Sequence, residues 1–312
     1  MGVTIRRMAL HDLFSTFANN LLPILLISGA GFLLGKLLTI DSRSLGRIVF
    51  YIFSPILVFD LLLKTRLDSA DILRTMGFTI VLCTMIGLLA LLSGKLFGFE
   101  RPILMAIVLT AAFGNTGNYG LPLVSFAFGQ DALAFATLYF VTTSILFNTF
   151  GVLIASLGHM NIKEAVLGLF KVPTVYAVVL AALLNRFQIT LPTSLSRTVD
   201  LASNGSIPAM IILLGLELSH VQWSHSWRAI QLSAGLRLLA GPLIGFLLAM
   251  VFGLQGAARQ GNIVEASMPA AVTSTVLATE YGLDTSLVTA IVFTGTILSP
   301  LTLTPLLVFL RR

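Results

Sequence analysis

Between Ile103 and Phe128 the chain is apolar for long enough to cross a bilayer, which takes about 20 residues. Yet the middle of that run reads Ala111-Ala112-Phe113-Gly114-Asn115-Thr116-Gly117-Asn118-Tyr119-Gly120-Leu121-Pro122. Three glycines, two asparagines and a proline fall within nine positions, 114–122. Glycine weakens a helix interior, and proline removes a backbone donor while clashing with the turn before it. A helix should therefore open here. Hydrocarbon cannot satisfy the freed N–H and C=O groups, so an opening at this depth must face protein or a watery cavity. Amide-lined helix breaks at membrane depth are places where polar solutes are held.

The remainder of the chain supports the membrane reading. Only 10% of residues are charged and 56% are hydrophobic, with mean hydropathy +0.97, whereas a soluble domain carries about 25% charge. Uninterrupted apolar runs dominate and the alternation of a membrane β-barrel is missing, so the fold class is all-α integral membrane. The net charge of +6 is spread over short joints rather than clustered, which excludes a nucleic-acid patch and makes Lys and Arg bilayer anchors. The single cysteine, Cys83, lies in an apolar segment and reads as a small hydrophobe. Arg6 and Arg7 precede an apolar run to Leu38 that is long for a cleaved leader and reads as a first span.

Charged and turn residues divide the chain into ten spans: 17–38, 45–63, 72–97, 103–129, 132–157, 172–188, 197–218, 228–253, 258–280 and 286–309. The longest joint, 158–171, carries Lys163, Glu164 and Lys171 among apolar residues and suits an amphipathic helix on the membrane surface. Matches recur at an offset near 153. Ser44-Leu45-x-Arg47-x-Val49 returns as Ser194-Leu195-x-Arg197-x-Val199, Pro55 as Pro208, Arg74 as Arg228, and Phe97-Gly98 as Phe252-Gly253. Phe128-Gly129-x-Asp131 returns as Tyr281-Gly282-x-Asp284. Their common order implies a duplicated five-span unit, 1–157 and 158–312, and an odd number of spans inserts the second copy upside down. Asp131 and Asp284 read as helix caps. Offset 153 carries the first break onto Ser267-Met268-Pro269-Ala270-Ala271-Val272-Thr273-Ser274-Thr275, so spans four and nine should both be broken and their openings should meet.

These residues resemble the auxin efflux carrier family in its short bacterial form, over nearly the whole chain. The resemblance rests on Gly114-Asn115-Thr116-Gly117-Asn118-Tyr119-Gly120-Leu121-Pro122 and on Ala266-Ser267-Met268-Pro269 followed by Ala278-Thr279-Glu280-Tyr281. Plant members have a second proline where this chain has Ser274, and often a long central loop that it lacks. The resemblance implies ten transmembrane helices in two inverted repeats, with broken helices four and nine crossing. It implies a scaffold (17–63 and 172–218), a mobile transport domain (72–157 and 228–309), elevator-like motion and a homodimer through the scaffolds. It implies organic-anion cargo, auxin in plants and small dicarboxylates such as malate or malonate in bacteria, and a bacterial inner membrane. The fold is shared with bile acid:sodium symporters, so fold alone does not set the coupling.

The candidate substrate-binding residues are Asn115, Thr116, Gly117, Asn118 and Pro122 at the first break, Pro269, Thr273, Ser274 and Thr275 at the second, and Thr142 and Asn148 in span five. The asparagines offer hydrogen bonds to a carboxylate, or else satisfy backbone freed by the break. The hydroxyls offer donors, or else bond back to their own helix. The prolines shape the site. Arg237 is the one basic residue deep in a span, where a charge costs about 2.5–3.5 kcal/mol on insertion scales, so it needs a partner: a substrate carboxylate or Glu265. Snorkelling to an interface is the alternative. Glu265 is a candidate proton relay or salt-bridge partner, and Asp60, with Asp200, a candidate charge partner on the scaffold.

Other strings carry nothing. Gly29-Ala30-Gly31 has no strand before it, while Gly31-x-x-x-Gly35 suits close helix packing. His11, His159, His220 and His225 show no metal spacing, and no catalytic constellation or cofactor motif is present. Three readings follow: a carrier of a small organic anion with H+ or Na+ as possible coupling ion, a sodium symporter of a larger amphipathic acid, and a receptor that binds such an acid without moving it. With Arg237 set aside, the side bearing the chain ends has ten Lys and Arg against eight opposite, a slight excess against the resemblance, which implies chain ends outside the cytoplasm.

Overall fold

A computed structural model describes residues 10–38, 40–65, 67–156 and 172–311. Among them the chain is helical: α1 (Leu10–Leu37), α2 (Ser42–Lys64), α3 (Ser69–Leu96), α4 (Arg101–Ala112), α5 (Thr116–Ala155), α6 (Pro173–Arg186), α7 (Thr193–Leu218), α8 (Trp227–Val251), α9 (Gly256–Ala266), α10 (Ser274–Glu280) and α11 (Thr285–Leu310). Seven of these, α1, α2, α3, α5, α7, α8 and α11, are long and apolar enough to cross a membrane. The surface helix expected over 158–171 lies outside the described residues.

At 40 residues α5 would extend about 60 Å, twice the hydrocarbon thickness. It does not run straight. Gly129, at φ 76° and ψ −161°, takes a conformation closed to side-chain-bearing residues and divides it. Asp284 caps α11 as expected, its Oδ1 accepting the Leu287 N–H at 2.9 Å. No comparable bond from Asp131 is present among the described residues, and that side chain is exposed.

Prolines leave a mark on the helices. Wider π turns occur at Phe17–Leu21, Val49–Phe53, Thr116–Gly120 and Leu236–Ala240, each followed two residues later by Pro23, Pro55, Pro122 or Pro242. A proline has no N–H and its ring pushes away the carbonyl one turn back, so the ladder takes up an extra residue just upstream. The π turn at Phe147–Gly151 has no proline in that position.

Helix α1 packs along α7 backbone to backbone. A Cβ at Gly31 would collide with the Ile212 carbonyl, one at Gly35 with the Ser219 side chain, and one at Gly215 with the Ser28 carbonyl. The expected role of the Gly31/Gly35 pair is therefore observed. Helix α2 packs on α6 and α7, α3 on α4, and α5 on α9. One large apolar core runs through most helices, and a smaller one joins Val58, Phe59 and Leu62 of α2 to Ala177 and Ala181 of α6 and to Leu138 and Val141 of α5. The outer faces are apolar too. Leu96 (86% exposed), Leu201 (78%) and Val251 (78%) point outward, which is stable only against lipid. The chain is a multi-pass integral membrane protein.

Candidate functional site

Helix α4 stops at Ala112. Phe113 is extended (φ −115°, ψ 116°), and Asn115 (φ −78°, ψ 65°) forms an inverse γ-turn in which the Thr116 N–H donates to the Gly114 carbonyl at 2.9 Å. The first opening is thus 113–115, shorter than the expected 114–122. Helix resumes at Thr116 with the π turn Thr116–Gly120, and Pro122 follows that turn. The second opening spans 267–273, between α9 and α10, close to expectation. Ser274 and Thr275 begin α10 instead of lying in the break.

The two openings meet. The Asn115 N–H donates to the Pro269 carbonyl at 2.7 Å and the Ala271 N–H to the Phe113 carbonyl at 3.0 Å, an antiparallel bridge centred on Gly114 and Ala270. Each break thereby satisfies backbone freed by the other. Gly295 of α11 packs against Pro269, and the Phe113 ring stands edge-on to Phe147, with ring centroids 5.3 Å apart.

Polar side chains gather around this bridge. The Asn115 N–H is bonded to Pro269, and its carbonyl accepts from Gly120 at 3.0 Å. Its backbone therefore needs no help, and its buried Nδ2 has no hydrogen-bond partner among the described residues. The Ser274 Oγ, fully buried at the start of α10, is likewise unpartnered. Thr116 is buried beside Asn115, and a Cβ at Gly117 would press on the Phe140 ring at 2.8 Å. Asn118 Nδ2 donates to Glu217 Oε2 on α7 at 3.4 Å.

Arg237 is only 1% exposed and does not snorkel. It forms no ion pair with Glu265. Its Nε donates to the Met268 carbonyl at 2.9 Å, Nη1 to Ala111 at 3.3 Å and Nη2 to Ala266 at 3.4 Å. Ala111 and Ala266 lie in the last turns of α4 and α9, where carbonyls lack helical partners and the dipole is negative. Both Glu265 carboxylate oxygens are buried without a partner among the described residues. That carboxylate lies against Gly120, where a Cβ would collide with it.

The other candidates are placed apart from the bridge or turned toward their own helices. Thr142 Oγ1 donates to the Leu138 carbonyl, Asn148 Nδ2 to Ser144 and Thr275 Oγ1 to Val272. Thr273 is exposed. Asp60 pairs with Lys64 at 2.7 Å, and Lys64 pairs with Asp200 at 2.7 Å. Asp60 and Lys64 line a cleft of about 360 Å³ with Asn185, Gln188 and Ser196, and no residue of either break borders it.

Glu217 was missed by sequence reasoning. Offset 153 carries Lys64 onto Glu217, so a charge at both positions was the available signal. Nothing in the sequence marks the Tyr119 hydroxyl to Ser299 contact (3.1 Å) or the Thr110 to Ser233 contact (2.8 Å), which tie the first break's helices to α11 and α8.

Membrane-length helices around paired helix breaks, with spare polar groups in an apolar interior, make up a membrane transporter. Residues 16–307 match the sequence model of the membrane transport proteins, and the chain belongs to that family, which includes the auxin efflux carriers. An uncharacterized transporter of Methanothermobacter thermautotrophicus is 29% identical over 296 residues, covering 92% of this chain and 96% of the relative. Another, from Methanocaldococcus jannaschii, is 28% identical over 271 residues, covering 83% and 86%. Both relatives are archaeal, so they do not carry the expected bacterial setting.

Proposed function

We propose that this transporter carries a small organic anion, a carboxylate, by an elevator-type alternating-access mechanism. The observation that carries the reading is the spare, buried Nδ2 of Asn115 where α5 begins, at the bridge between the two openings. The start of a helix attracts negative charge, and an amide donor aimed there suits a carboxylate oxygen. Thr116, the Gly117 and Asn118 backbone and Ser274 complete the donor set.

The framework in this reading is ten crossings in two inverted repeats, residues 1–157 and 158–312. Matched turns support it. Gly98 (φ 73°) and Gly253 (φ 65°) close α3 and α8 with the same pair of bonds, and Gly129 (φ 76°) and Gly282 (φ 69°) precede the two final helices of the halves. The packing of α1 on α7 and of α2 on α6 and α7 supports a scaffold of α1, α2, α6 and α7, through which two copies pair, with the remaining helices as the travelling body. The chain ends lie outside the cytoplasm, and the membrane is the plasma membrane of a prokaryote.

Radiolabelled malate or malonate uptake into proteoliposomes tests the reading. Asn115→Ala should lower the rate at least about tenfold, the worth of one charge-assisted hydrogen bond, without lowering the melting temperature. Undiminished uptake by the variant removes the assignment of Asn115, and no flux of any small carboxylate removes the function. Sodium symport of a larger amphipathic acid is the second reading, favoured by the two unpartnered oxygens of Glu265. It requires uptake that follows an imposed sodium gradient.

A further inference from the structure

In carriers built on broken helices, unwound carbonyls and the C-terminal ends of half-helices are the groups that coordinate a coupling cation. Two such ends meet here, those of α4 and α9, and a charged group already sits between them. The Arg237 guanidinium donates to Ala111 in the last turn of α4, to Ala266 at the end of α9 and to Met268 in the opening beyond. It is fully enclosed, and a Cβ at Gly114 would collide with its Nη2, so the first opening is fitted around it. The π turn Leu236–Ala240, set by Pro242, holds Arg237 in this register. Glu265, on the same α9, forms no ion pair with it.

We propose that Arg237 is a tethered counter-cation, a positioning residue whose guanidinium permanently fills the place where a coupling metal cation would bind, and that the carrier works without sodium. This rests on the carrier reading above and refines it. Three carbonyls face the guanidinium from two half-helices and the strand-like segment after one of them, so a soluble cation has neither room nor open ligands there. The charge that would arrive with each cycle is instead part of the chain.

Thermal melting of the purified protein at constant ionic strength tests this without a known substrate. Wild type should melt at the same temperature in sodium, potassium and choline chloride. Arg237→Ala should melt roughly 5–10 °C lower, as for a buried charge network that has lost one member. Guanidinium chloride at low concentration should restore most of that loss and saturate, by mass action at the vacated place, while urea should not. Arg237→Lys, which keeps the charge with fewer donors, should fall between the two. A sodium-specific rise in the wild-type melting temperature overturns the proposal, whether or not the alanine variant folds. So does an alanine variant that folds and ignores guanidinium. Malonate uptake by wild type should be unchanged when choline replaces sodium. Absence of flux in every salt counts against the carrier reading alone, because the melting measurements do not depend on it.

Discussion

At the scale of single residues, the bridge region leaves no space where the glycines of the first break stand. Alanine at Gly114 meets the Arg237 guanidinium, and alanine at Gly120 meets the Glu265 carboxylate. Overpacking of this kind costs about 1–3 kcal/mol, and here the displaced groups are polar and buried. Gly114→Ala and Gly120→Ala should each lower the melting temperature by several degrees, roughly 2–4 °C per kcal/mol. Gly29→Ala, on α1 with nothing within 4 Å of the added carbon, should not lower it. Equal shifts at all three positions would show that the carbon's surroundings do not matter. Much of this neighbourhood was legible in advance. The asparagines, the glycines and the deep arginine stand out in an apolar chain, and the matches at offset 153 led to the expectation that the two openings meet. The partner of Arg237 was not legible. Its acceptors are backbone carbonyls, which every residue has and no residue type announces. The Asn118 to Glu217 contact was hidden for another reason: it joins positions 99 apart through tertiary packing alone.

At the scale of the element, proline position decides where a helix widens and where it merely begins. Pro122 was expected to widen the opening. Instead the chain re-forms helix before it, and the missing donor is taken up by the π turn Thr116–Gly120. Before Pro242 the same kind of π turn adds one residue to the turn and swings Arg237 by about 100° relative to an unbroken α-helix. Pro242→Ala should let α8 tighten and withdraw the guanidinium from its three carbonyls, lowering the melting temperature. Pro208→Ala in α7, where no π turn accompanies the proline, should have a smaller effect. A larger fall at Pro208 contradicts this account. Cap chemistry gives a third measurement at this scale. Asp284→Ala frees the Leu287 N–H at the start of α11 and should cost about 0.5–2 kcal/mol, read from denaturation midpoints, with Asp284→Asn recovering most of it.

At the scale of the molecule, the proposed inversion of the halves has a direct readout. With Cys83, the one native cysteine, replaced by alanine, single cysteines can be placed at Gln130, next to Gly129, and at Thr279, in the last turn of α10 just before Gly282. Both positions are exposed. An impermeant maleimide should reach Gln130→Cys from outside the cell and Thr279→Cys only from the cytoplasmic side. Labelling of both from one face removes the inverted arrangement, and protection of Gln130 means that Thr116–Ala155 crosses as one rod. The two bonds between Asn115 and Pro269 and between Ala271 and Phe113 bear on throughput. Parting them strands two N–H and two C=O groups in oil, at about 2–7 kcal/mol each by transfer measurements. That seam is far too tight to part and reseal for every solute. In the elevator motion proposed above cargo travels with it, so turnover would be set by how often a packed body of helices changes place, on the order of a thousand times a second at the fastest and never at the pace of an open pore.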